Sequence, residues 1–364
     1  MIDILKVIEF INNTPNWREI LSEAPYYITI KDDGDFTLLK YSQIDSDFNN
    51  EIVRECRGLI IDKNLNPVCV PFYKFGNYGE SYADKIDWNT AQVEEKIDGS
   101  LIKVWCYNGE WIVSTNGTIF AKTASIGFDK EIATDKAYNN FDELFEAAAA
   151  KSALDLTSLN PQYTYMFELV SPYSRIVVPY EYIDLYHIGT RDIITLRELE
   201  ADIGIKKPKT YRCDNIDDLI EMASELKYCE EGYIVKDANY KRIKVKSPAY
   251  VAISHLISGM NEKRLLELLR TNEVGEFLTY FPEYQPHVDD LKNKIDLLVQ
   301  YLNAIIKEKI APVNYETRKD FAEMATKTKY SAFFFNYYDG KINTPQEWIW
   351  SLSNEKIVEQ LEKL

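Results

Sequence analysis

The sequence predicts an α+β protein in which antiparallel sheets are followed by an all-helical region. Strand-like runs separated by turn residues extend from about residue 26 to residue 250. Apolar residues at helical spacing replace this pattern in the rest of the chain. The change of period alone predicts two domains, residues 1–250 and 251–364.

The first region contains one clear hairpin and several further strands. Asn108-Gly109 separates two alternating runs in LIKVWCYNGEWIVST, the pattern of a two-residue hairpin turn. Two helices are expected among the strands, Phe141 to Lys151 with Asn140 as its cap, and Ile216 to Leu226. The N-terminal MIDILKVIEFINN is typical of an amphipathic helix rather than a signal peptide. The other predicted strands are TYMFELVS, SRIVVPY, IDLYHIGTRD, EGYIVKD and KRIKVKS.

The last part of the chain has two strong helix signals. HVDDLKNKIDLLVQYLNAIIKEK places apolar residues three or four positions apart, which predicts one buried helix face. TPQEWIWSLSNEKIVEQLEKL begins with Thr344 as a cap, Pro345 in the first turn and Glu347 completing a capping box. Both segments indicate packed helices.

Composition excludes several classes of protein. The five cysteines contain no C-x-x-C pair, so neither a disulfide framework nor a zinc site is predicted, and a reducing cytoplasm is expected. No apolar stretch approaches a membrane span, and the three histidines are far apart in the sequence. Any metal is therefore expected to be a hard cation held by carboxylates.

The net charge of −16 disfavours a nucleic-acid partner, because phosphate backbones repel an acidic surface. Such a partner requires that the basic residues be concentrated locally. Candidate concentrations are KKPKTYR, KRIKVK and KTK. The 26 tyrosines provide base-stacking surfaces, although packing is their commoner use.

Lys96 stands at the end of a predicted strand in VEEKIDGSLIKVW. A lysine amine is nucleophilic only when neutral, so neighbouring cations or desolvation must lower its pKa. Glu95 points away from Lys96 in an alternating strand, Gly99 lets the backbone turn sharply, and Asp98 is placed to accept from the lysine or hold metal-bound water. The alternative is an ordinary turn between strands.

Further polar residues lie in or beside apolar runs on both sides of Lys96. Arg57 opens a strand in ECRGLIID, Glu168 lies in MFELVSPYSRIV, and Glu231 precedes a strand in EGYIVK. Lys244 and Lys246 leave the same face of RIKVK, where they repel each other unless an anion such as a polyphosphate lies between them. For each residue alone, the solvent face of a strand is the ordinary interpretation.

Jointly, EKIDGS, FELVSPYSRIV, EGYIVK and KVK resemble, in this order, motifs I, III with IIIa, IV and V of the covalent nucleotidyltransferase superfamily. ECRG before motif I, PFYKFGNYGE upstream of it, and VKSPAYVAISH after motif V resemble the ATP-dependent RNA ligase 1 family of T-even-type phages. The resemblance implies an antiparallel-sheet nucleotidyltransferase domain (ATP-grasp-like ligase adenylylation), followed by an all-helical domain that is a candidate for RNA-substrate specificity.

The resemblance implies a role for each matching residue. Lys96 would attack the α-phosphorus of ATP and carry AMP covalently. Glu168 would lie near the ribose hydroxyls, and Glu231, with Asp98, would hold Mg²⁺ or Mn²⁺. The implied catalytic residues are Lys96, Asp98, Lys244 and Lys246. The implied nucleotide-binding residues are Arg57, Lys74, Gly99, Glu168, Glu231, Lys244, Lys246, Tyr250 and Tyr41. Phe167 alternates with Glu168 and is expected to face the core.

The implied reaction joins an RNA 5′-phosphate to a 3′-hydroxyl through a lysyl-AMP intermediate and an adenylylated RNA end, as in RNA repair. The expected partners are ATP and RNA, either single-stranded ends or a nicked transfer-RNA-like molecule, with no membrane and no obligate protein partner. The expected location is the cytoplasm of a bacterium or a phage-infected cell. The alternatives are a DNA ligase, a capping-type nucleotidyltransferase, or a non-catalytic nucleotide- or RNA-binding homologue.

One position departs from the family pattern. The strand after motif I usually carries a basic residue in this family, whereas this chain has Thr115 and Asn116 in IVSTNGTIFAKT. One phosphate contact is therefore without an assigned residue.

Overall fold

The structure, a computed structural model, describes residues 4–126, 138–258 and 260–364. It separates into two compact units, Met1–His255 and Leu256–Leu364. The sequence predicts the domain boundary at residue 250, and the assignment of different functions to the two parts stays a prediction.

Strands occur only in the first unit of the described chain, and all pairings between them are antiparallel. They form sheets of order β1-β2-β3-β4, β10-β9-β8-β6-β7 and β11-β5-β12-β13, here called the first, second and third sheets. The strands are Ile28–Asp33 (β1), Phe36–Tyr41 (β2), Arg57–Asp62 (β3), Pro67–Cys69 (β4), Gln92–Glu95 (β5), Ser100–Tyr107 (β6), Glu110–Thr115 (β7), Tyr163–Val170 (β8), Asp184–Asp192 (β9), Glu198–Leu199 (β10), Thr210–Tyr211 (β11), Gly232–Lys236 (β12) and Arg242–Lys246 (β13).

Helices accompany the sheets and make up the second unit. Those that begin in the first unit are Lys6–Asn13 (α1), Trp17–Ser22 (α2), Glu51–Glu55 (α3), Phe141–Lys151 (α4), Ile216–Ser224 (α5) and Pro248–Ile257 (α6). The second unit contains Glu262–Thr271 (α7), Val274–Tyr280 (α8), Gln285–Ile305 (α9), Arg318–Ala325 (α10), Ser331–Tyr338 (α11), Pro345–Ser351 (α12) and Asn354–Leu361 (α13). These elements confirm the predicted α+β class, with antiparallel sheets followed by helices.

Most local predictions are confirmed. Asn108 and Gly109 form the β6–β7 turn with positive φ angles of 52° and 86°, which the turn type requires. The Asn140 side chain accepts backbone hydrogen bonds at the start of α4, and the Thr344 side chain accepts one from Glu347 at the start of α12. The predicted strand SRIVVPY is wrong, because residues 174–180 form a short 3₁₀ turn and irregular backbone.

The first and second sheets pack against each other, and the second and third sheets each pack against a helix. Phe36 of the first sheet packs edge-on against Trp105 of the second, with ring centroids 5.1 Å apart. On the opposite face of the second sheet Phe167 packs against Phe145 of α4, so its predicted core position is confirmed. The third sheet packs one face against α5. Its other face carries the side chains described below.

The second unit has its own apolar interior. Val288, Leu291, Ile295, Leu298, Leu302 and Ile305 of α9 are all buried, at the spacing that the sequence predicts. Among the described residues, no helix is both long and apolar enough to cross a membrane.

Candidate active site

Lys96 follows the last residue of β5 and is held in place at both ends. Its backbone N–H donates to the carbonyl of Gly232 at 2.9 Å, which ties it to the neighbouring strand β12. Its Nζ donates to Glu231 Oε2 at 2.7 Å, and the other oxygen of Glu231 contacts Lys246 Nζ at 2.9 Å. The Glu231 side chain is only 4% exposed. One buried carboxylate therefore bridges two lysine ammonium groups.

The predicted depression of the Lys96 pKa by cationic neighbours is wrong for this structure. Burial lowers the pKa of Lys96, but the carboxylates of Glu231, Glu168 and Asp98 together raise it above its ordinary value. The hydrogen bond that Lys96 donates to Glu231 acts in the same direction. The amine is therefore charged at neutral pH, and it must lose a proton before it can act as a nucleophile.

A group of cations lies beside this carboxylate cluster. Burial, together with repulsion by Lys74, Lys96, Lys246 and Arg57, lowers the pKa of Lys244 to about 7. Burial and repulsion by Arg57 likewise lower the pKa of Lys74 to about 8. Burial is the largest cause of both shifts, and repulsion within the group adds to it. A polyphosphate carries the charge that would balance this group.

Aromatic rings make cation–π contacts with two of these cations, Arg57 and Lys74. The Arg57 guanidinium lies over Phe72 and Phe75, at 4.5 and 5.4 Å from the ring centroids. The Lys74 ammonium lies 4.8 Å from the Phe48 centroid and 5.4 Å from that of Tyr41. The sequence predicts that Tyr41 lines the nucleotide pocket. The structure places it as a buried ring beside Lys74.

Glu168 lies on β8 and faces the Lys96 loop. One of its carboxylate oxygens accepts from the Gly99 N–H at 3.2 Å. Burial raises the pKa of Glu168 to about 7, with the nearby charge of Lys96 opposing the shift and that of Glu231 adding to it. A carboxyl group that titrates near neutrality can both donate and accept hydrogen bonds, which suits recognition of sugar hydroxyl groups.

Asp98 is buried and accepts hydrogen bonds from three protein donors. Its Oδ2 accepts from the backbone N–H groups of Val177 and Val178 at 2.9 and 2.7 Å, and its Oδ1 accepts from the Tyr250 hydroxyl at 2.8 Å. This geometry favours a positioning role, in which Asp98 anchors residues 177–178 and α6 to the Lys96 loop. The predicted part of Asp98 in metal binding stays a prediction.

Tyr250 is almost fully buried beneath Lys246, whose Nζ lies 5.2 Å from its ring centroid. Its hydroxyl is committed to Asp98, so the structure places it as a brace between α6 and the Lys96 loop. Its predicted contact with the nucleotide stays a prediction.

Two positions near Lys96 require glycine, because neighbouring backbone atoms leave no room for a Cβ. A Cβ on Gly99 would lie 2.6 Å from the Leu169 carbonyl oxygen. Gly232 has a φ of 138°, and a Cβ there would clash with the Val245 carbonyl on β13. Gly232 is a residue of the site that the sequence motifs alone do not identify. Its position immediately after Glu231, at the start of a strand, was the available signal.

Gly99→Ala is expected to destabilise the protein by roughly 1–3 kcal/mol, because the added methyl group forces the Lys96 loop away from β8. The measurement is the midpoint of thermal unfolding. Gly275→Ala in α8 is the control, since a Cβ there meets no atom within 4 Å and should leave the midpoint unchanged or raise it slightly. A wild-type midpoint for Gly99→Ala would contradict the close approach.

Thr115 and Asn116 stand where the family usually has a basic side chain. Both are uncharged, and the hydrogen bonds of their side chains among the described residues do not include a charged group. Thr115 Oγ1 accepts from the N–H groups of Gly117 and Thr118, both at 3.1 Å, and closes a tight turn. Asn116 Oδ1 is buried and has no hydrogen-bond partner among the described residues. Neither side chain can replace an ammonium group by charge.

Glu231 is the carboxylate that best fits a divalent cation. It is buried, and its charge adds to the burial that raises the pKa of Glu168 and of Asp98. A cation near it would relieve that repulsion. The described protein atoms contain no cluster of three or more metal-ligating side chains. Phosphate and water oxygens would therefore have to complete the shell, as is common for Mg²⁺.

An open cleft of about 560 Å³ lies beside the cation group. Lys74, Lys244 and Lys246 form its cationic wall, and Phe48, Tyr78 and Tyr82 contribute aromatic surface. Tyr78 is 51% exposed, and its backbone is fixed by an N–H donated to the Lys244 carbonyl at 2.9 Å. The combination of ammonium groups and exposed rings suits a nucleotide with its phosphates.

These features place a partly buried lysine beside a buried carboxylate and a group of cations, an arrangement that suits phosphate chemistry. The chain belongs to the RNA ligase family, whose sequence model matches residues 55–250, and this confirms the resemblance to RNA ligase 1. An RNA ligase of Rhodothermus phage RM378 is 25% identical, over 92% of each chain. A putative bifunctional polynucleotide kinase/RNA ligase of Autographa californica nuclear polyhedrosis virus is 32% identical over 70% of this chain, which spans only 39% of that relative's length. The structure of an archaeal ATP-dependent RNA ligase covers 81% of this chain and 83% of its own, with 13% identity and a TM-score of 0.44.

Proposed function

We propose that this protein is an ATP-dependent RNA ligase that works through a lysyl-AMP intermediate on Lys96. The observation that carries the proposal is the placement of the Lys96 amine, 2.7 Å from the buried Glu231 and beside the cations of Lys74, Lys244, Lys246 and Arg57. Membership of the RNA ligase family supports the same activity.

The first step forms a bond from Lys96 Nζ to the α-phosphorus of ATP and breaks the bond from that phosphorus to the bridging oxygen. Pyrophosphate leaves, and the amine gives up a proton to water. Lys244, Lys246, Lys74 and Arg57 would balance the charge on the departing phosphates, which is the main means of accelerating phosphoryl transfer. The low pKa of Lys244, about 7, would rise once phosphate lies beside it.

The second step transfers AMP to an RNA 5′-phosphate, whose oxygen attacks the α-phosphorus while the bond to Lys96 breaks. The third step forms the phosphodiester bond, as a 3′-hydroxyl attacks the 5′-phosphorus and AMP departs. The cleft beside the motif V lysines has the charge and ring surface to receive the RNA end. Glu168 would contact the ribose of the nucleotide.

Glu231 would hold Mg²⁺ or Mn²⁺, with Asp98 a less suitable ligand because three protein donors already occupy its oxygens. When bound, the cation supplies charge neutralisation of the triphosphate and polarisation of the α-phosphate. Structures of a Naegleria gruberi RNA ligase carry ATP with Mn and AMP with Mn, so nucleotide and divalent cation occur together in a protein of this activity.

The alternatives within the same chemistry are a DNA ligase and a capping-type guanylyltransferase. In those enzymes an OB-fold barrel follows motif V, whereas the described residues of the second unit form helices only. We assign RNA-substrate specificity to this helical unit as part of the proposal. A non-catalytic homologue is the remaining alternative.

A sealing assay tests the proposal. With ATP and Mg²⁺, the protein is expected to join RNA that carries a 5′-phosphate and a 3′-hydroxyl, giving a phosphatase-resistant product. The same RNA with a 5′-hydroxyl should stay unjoined, since it offers no phosphate to adenylylate. Efficient joining of nicked DNA with no joining of RNA would contradict the assignment.

A further inference from the structure

Lys40 of β2 is a half-buried cation that has no assigned role in the proposed reaction. It lies opposite Arg57 in the pairing of β2 with β3, where a bulge interrupts the register. Its Nζ lies 3.4 Å from the point that a Cβ on Gly117 would occupy, so its ammonium group reaches the β7 turn. That turn contains Asn116, where the family's basic residue is missing.

Other polar groups converge on the same place. A Cβ on Gly58 would lie 2.9 Å from Lys103 Nζ, 2.9 Å from the Asn116 carbonyl oxygen and 3.0 Å from Asn116 Oδ1. Lys103 is fully buried, and its amine donates to the Gly58 carbonyl. The backbone of β3 at Gly58, next to Arg57, is therefore packed directly against the turn that Lys40 reaches.

The charged side chains that the structure describes around the Asn116 turn and Gly58 are cations. Among the described residues, no ion pair with a carboxylate is formed by Lys40, Arg57 or Lys103. Burial lowers the pKa of Lys103, and the charges of Arg57 and Lys40 lower it further, so all three cations lie within electrostatic reach of one another. Arg57 Nη1 and Asn116 Oδ1 are buried polar atoms without a hydrogen-bond partner. A buried donor without an acceptor is costly, which indicates that a ligand completes it.

We propose that Lys40 and Arg57 form a phosphate-binding subsite in which Lys40, from β2, supplies the cation that this chain lacks at Asn116, in the turn that follows β7. The inference rests on the proposed function. Arg57 links this subsite to the main cation group, because its charge also acts on Lys74 and Lys244. The bound phosphate belongs either to the outer part of the ATP triphosphate or to the RNA backbone, and both offer the same oxygens.

The test replaces Lys40 with methionine, which keeps the buried alkyl stem and removes the charge. The rate of adduct formation is measured against ATP concentration, and joining of pre-adenylylated RNA is measured against RNA concentration. Lys40→Met is expected to raise the KM of one of these substrates roughly tenfold, as loss of a charge-assisted contact does. A change confined to ATP identifies the triphosphate, and a change confined to RNA identifies its backbone.

Two further variants separate a phosphate contact from a structural role. Lys31→Met is the matched control, since the exposed Lys31 bonds the Gly117 carbonyl from the adjacent strand and should leave both KM values within about twofold. Adding Asn116→Lys to Lys40→Met should restore much of the lost affinity by returning the cation from β7.

Unchanged KM values for both substrates in Lys40→Met would overturn the inference, as would a defect that Asn116→Lys leaves untouched in a folded protein. A wild-type protein that forms no adduct at all would instead overturn the proposed function.

Discussion

Lys96→Ala is expected to abolish the AMP adduct completely. In the wild-type protein, incubation with ATP and Mg²⁺ should raise the intact mass by one AMP, because the amine of Lys96 attacks the α-phosphorus in the proposed mechanism. GTP should give no adduct. Intact-mass spectrometry measures both outcomes directly and needs no RNA substrate.

Removing Lys96 also takes an ion-pair partner from the buried Glu231, so the alanine variant risks a loss of folding. Lys96→Arg addresses this, since it keeps a cation beside the carboxylate while the guanidinium is not a useful nucleophile. It too should form no adduct. Lys63→Met, at an exposed lysine paired with Asp35, is the control and should adenylylate normally. An AMP adduct on Lys96→Arg would place the nucleophile elsewhere, and a GMP adduct on the wild-type protein would favour capping chemistry.

The sequence could predict the class of fold and the residues of the site because both depend on local patterns. Alternation shows which face of β13 carries Lys244 and Lys246, and the Asn108-Gly109 turn needs only its own dihedral angles. Caps such as Asn140 are equally local. These features follow from neighbours within a few positions along the chain.

The features that the sequence could not predict depend on contacts between distant segments. The apolar run at residues 174–180 has strand-like composition, but Asp98 takes the N–H groups of Val177 and Val178 that a strand partner would need. Gly232 is required by the approach of β13, and the role inferred for Lys40 depends on where the β7 turn lies. The spacing of residues along the sequence does not predict which distant segments come into contact.

The charge state of Lys96 is the most instructive difference. The sequence places Glu95 away from Lys96, and the pairing of Glu95 with Tyr233 agrees with this, while Glu94 contacts Lys236 at 3.2 Å. The acids that raise the pKa of Lys96 are remote in the sequence, chiefly Glu231 and Glu168. Motifs therefore identify which residues meet at the site without giving the sign of the pKa shift that results.

Glu231→Gln separates two opposite effects of this carboxylate. Because Glu231 raises the pKa of Lys96, its neutralisation should lower that pKa and make more of the amine neutral at a given pH. If the carboxylate only kept Lys96 protonated, the variant would adenylylate faster below the pKa. If Glu231 also holds the divalent cation, loss of that cation's charge should outweigh the gain in neutral amine.

We expect the second effect to prevail, with adduct formation in Glu231→Gln falling by about a hundredfold or more at saturating ATP, since a metal ion supplies several kcal/mol to such a step. The rising limb of the pH–rate profile should nevertheless move to lower pH, which reports the lowered pKa of Lys96 independently of the rate. Glu230→Gln is the control, because the exposed carboxylate of that neighbour accepts a hydrogen bond from the Lys227 N–H, away from Lys96, and its loss should leave rate and profile unchanged. A Glu231→Gln variant that adenylylates at the wild-type rate or faster would contradict the assignment of the divalent cation to Glu231. An unchanged pH–rate profile would show that Glu231 does not control the charge on Lys96.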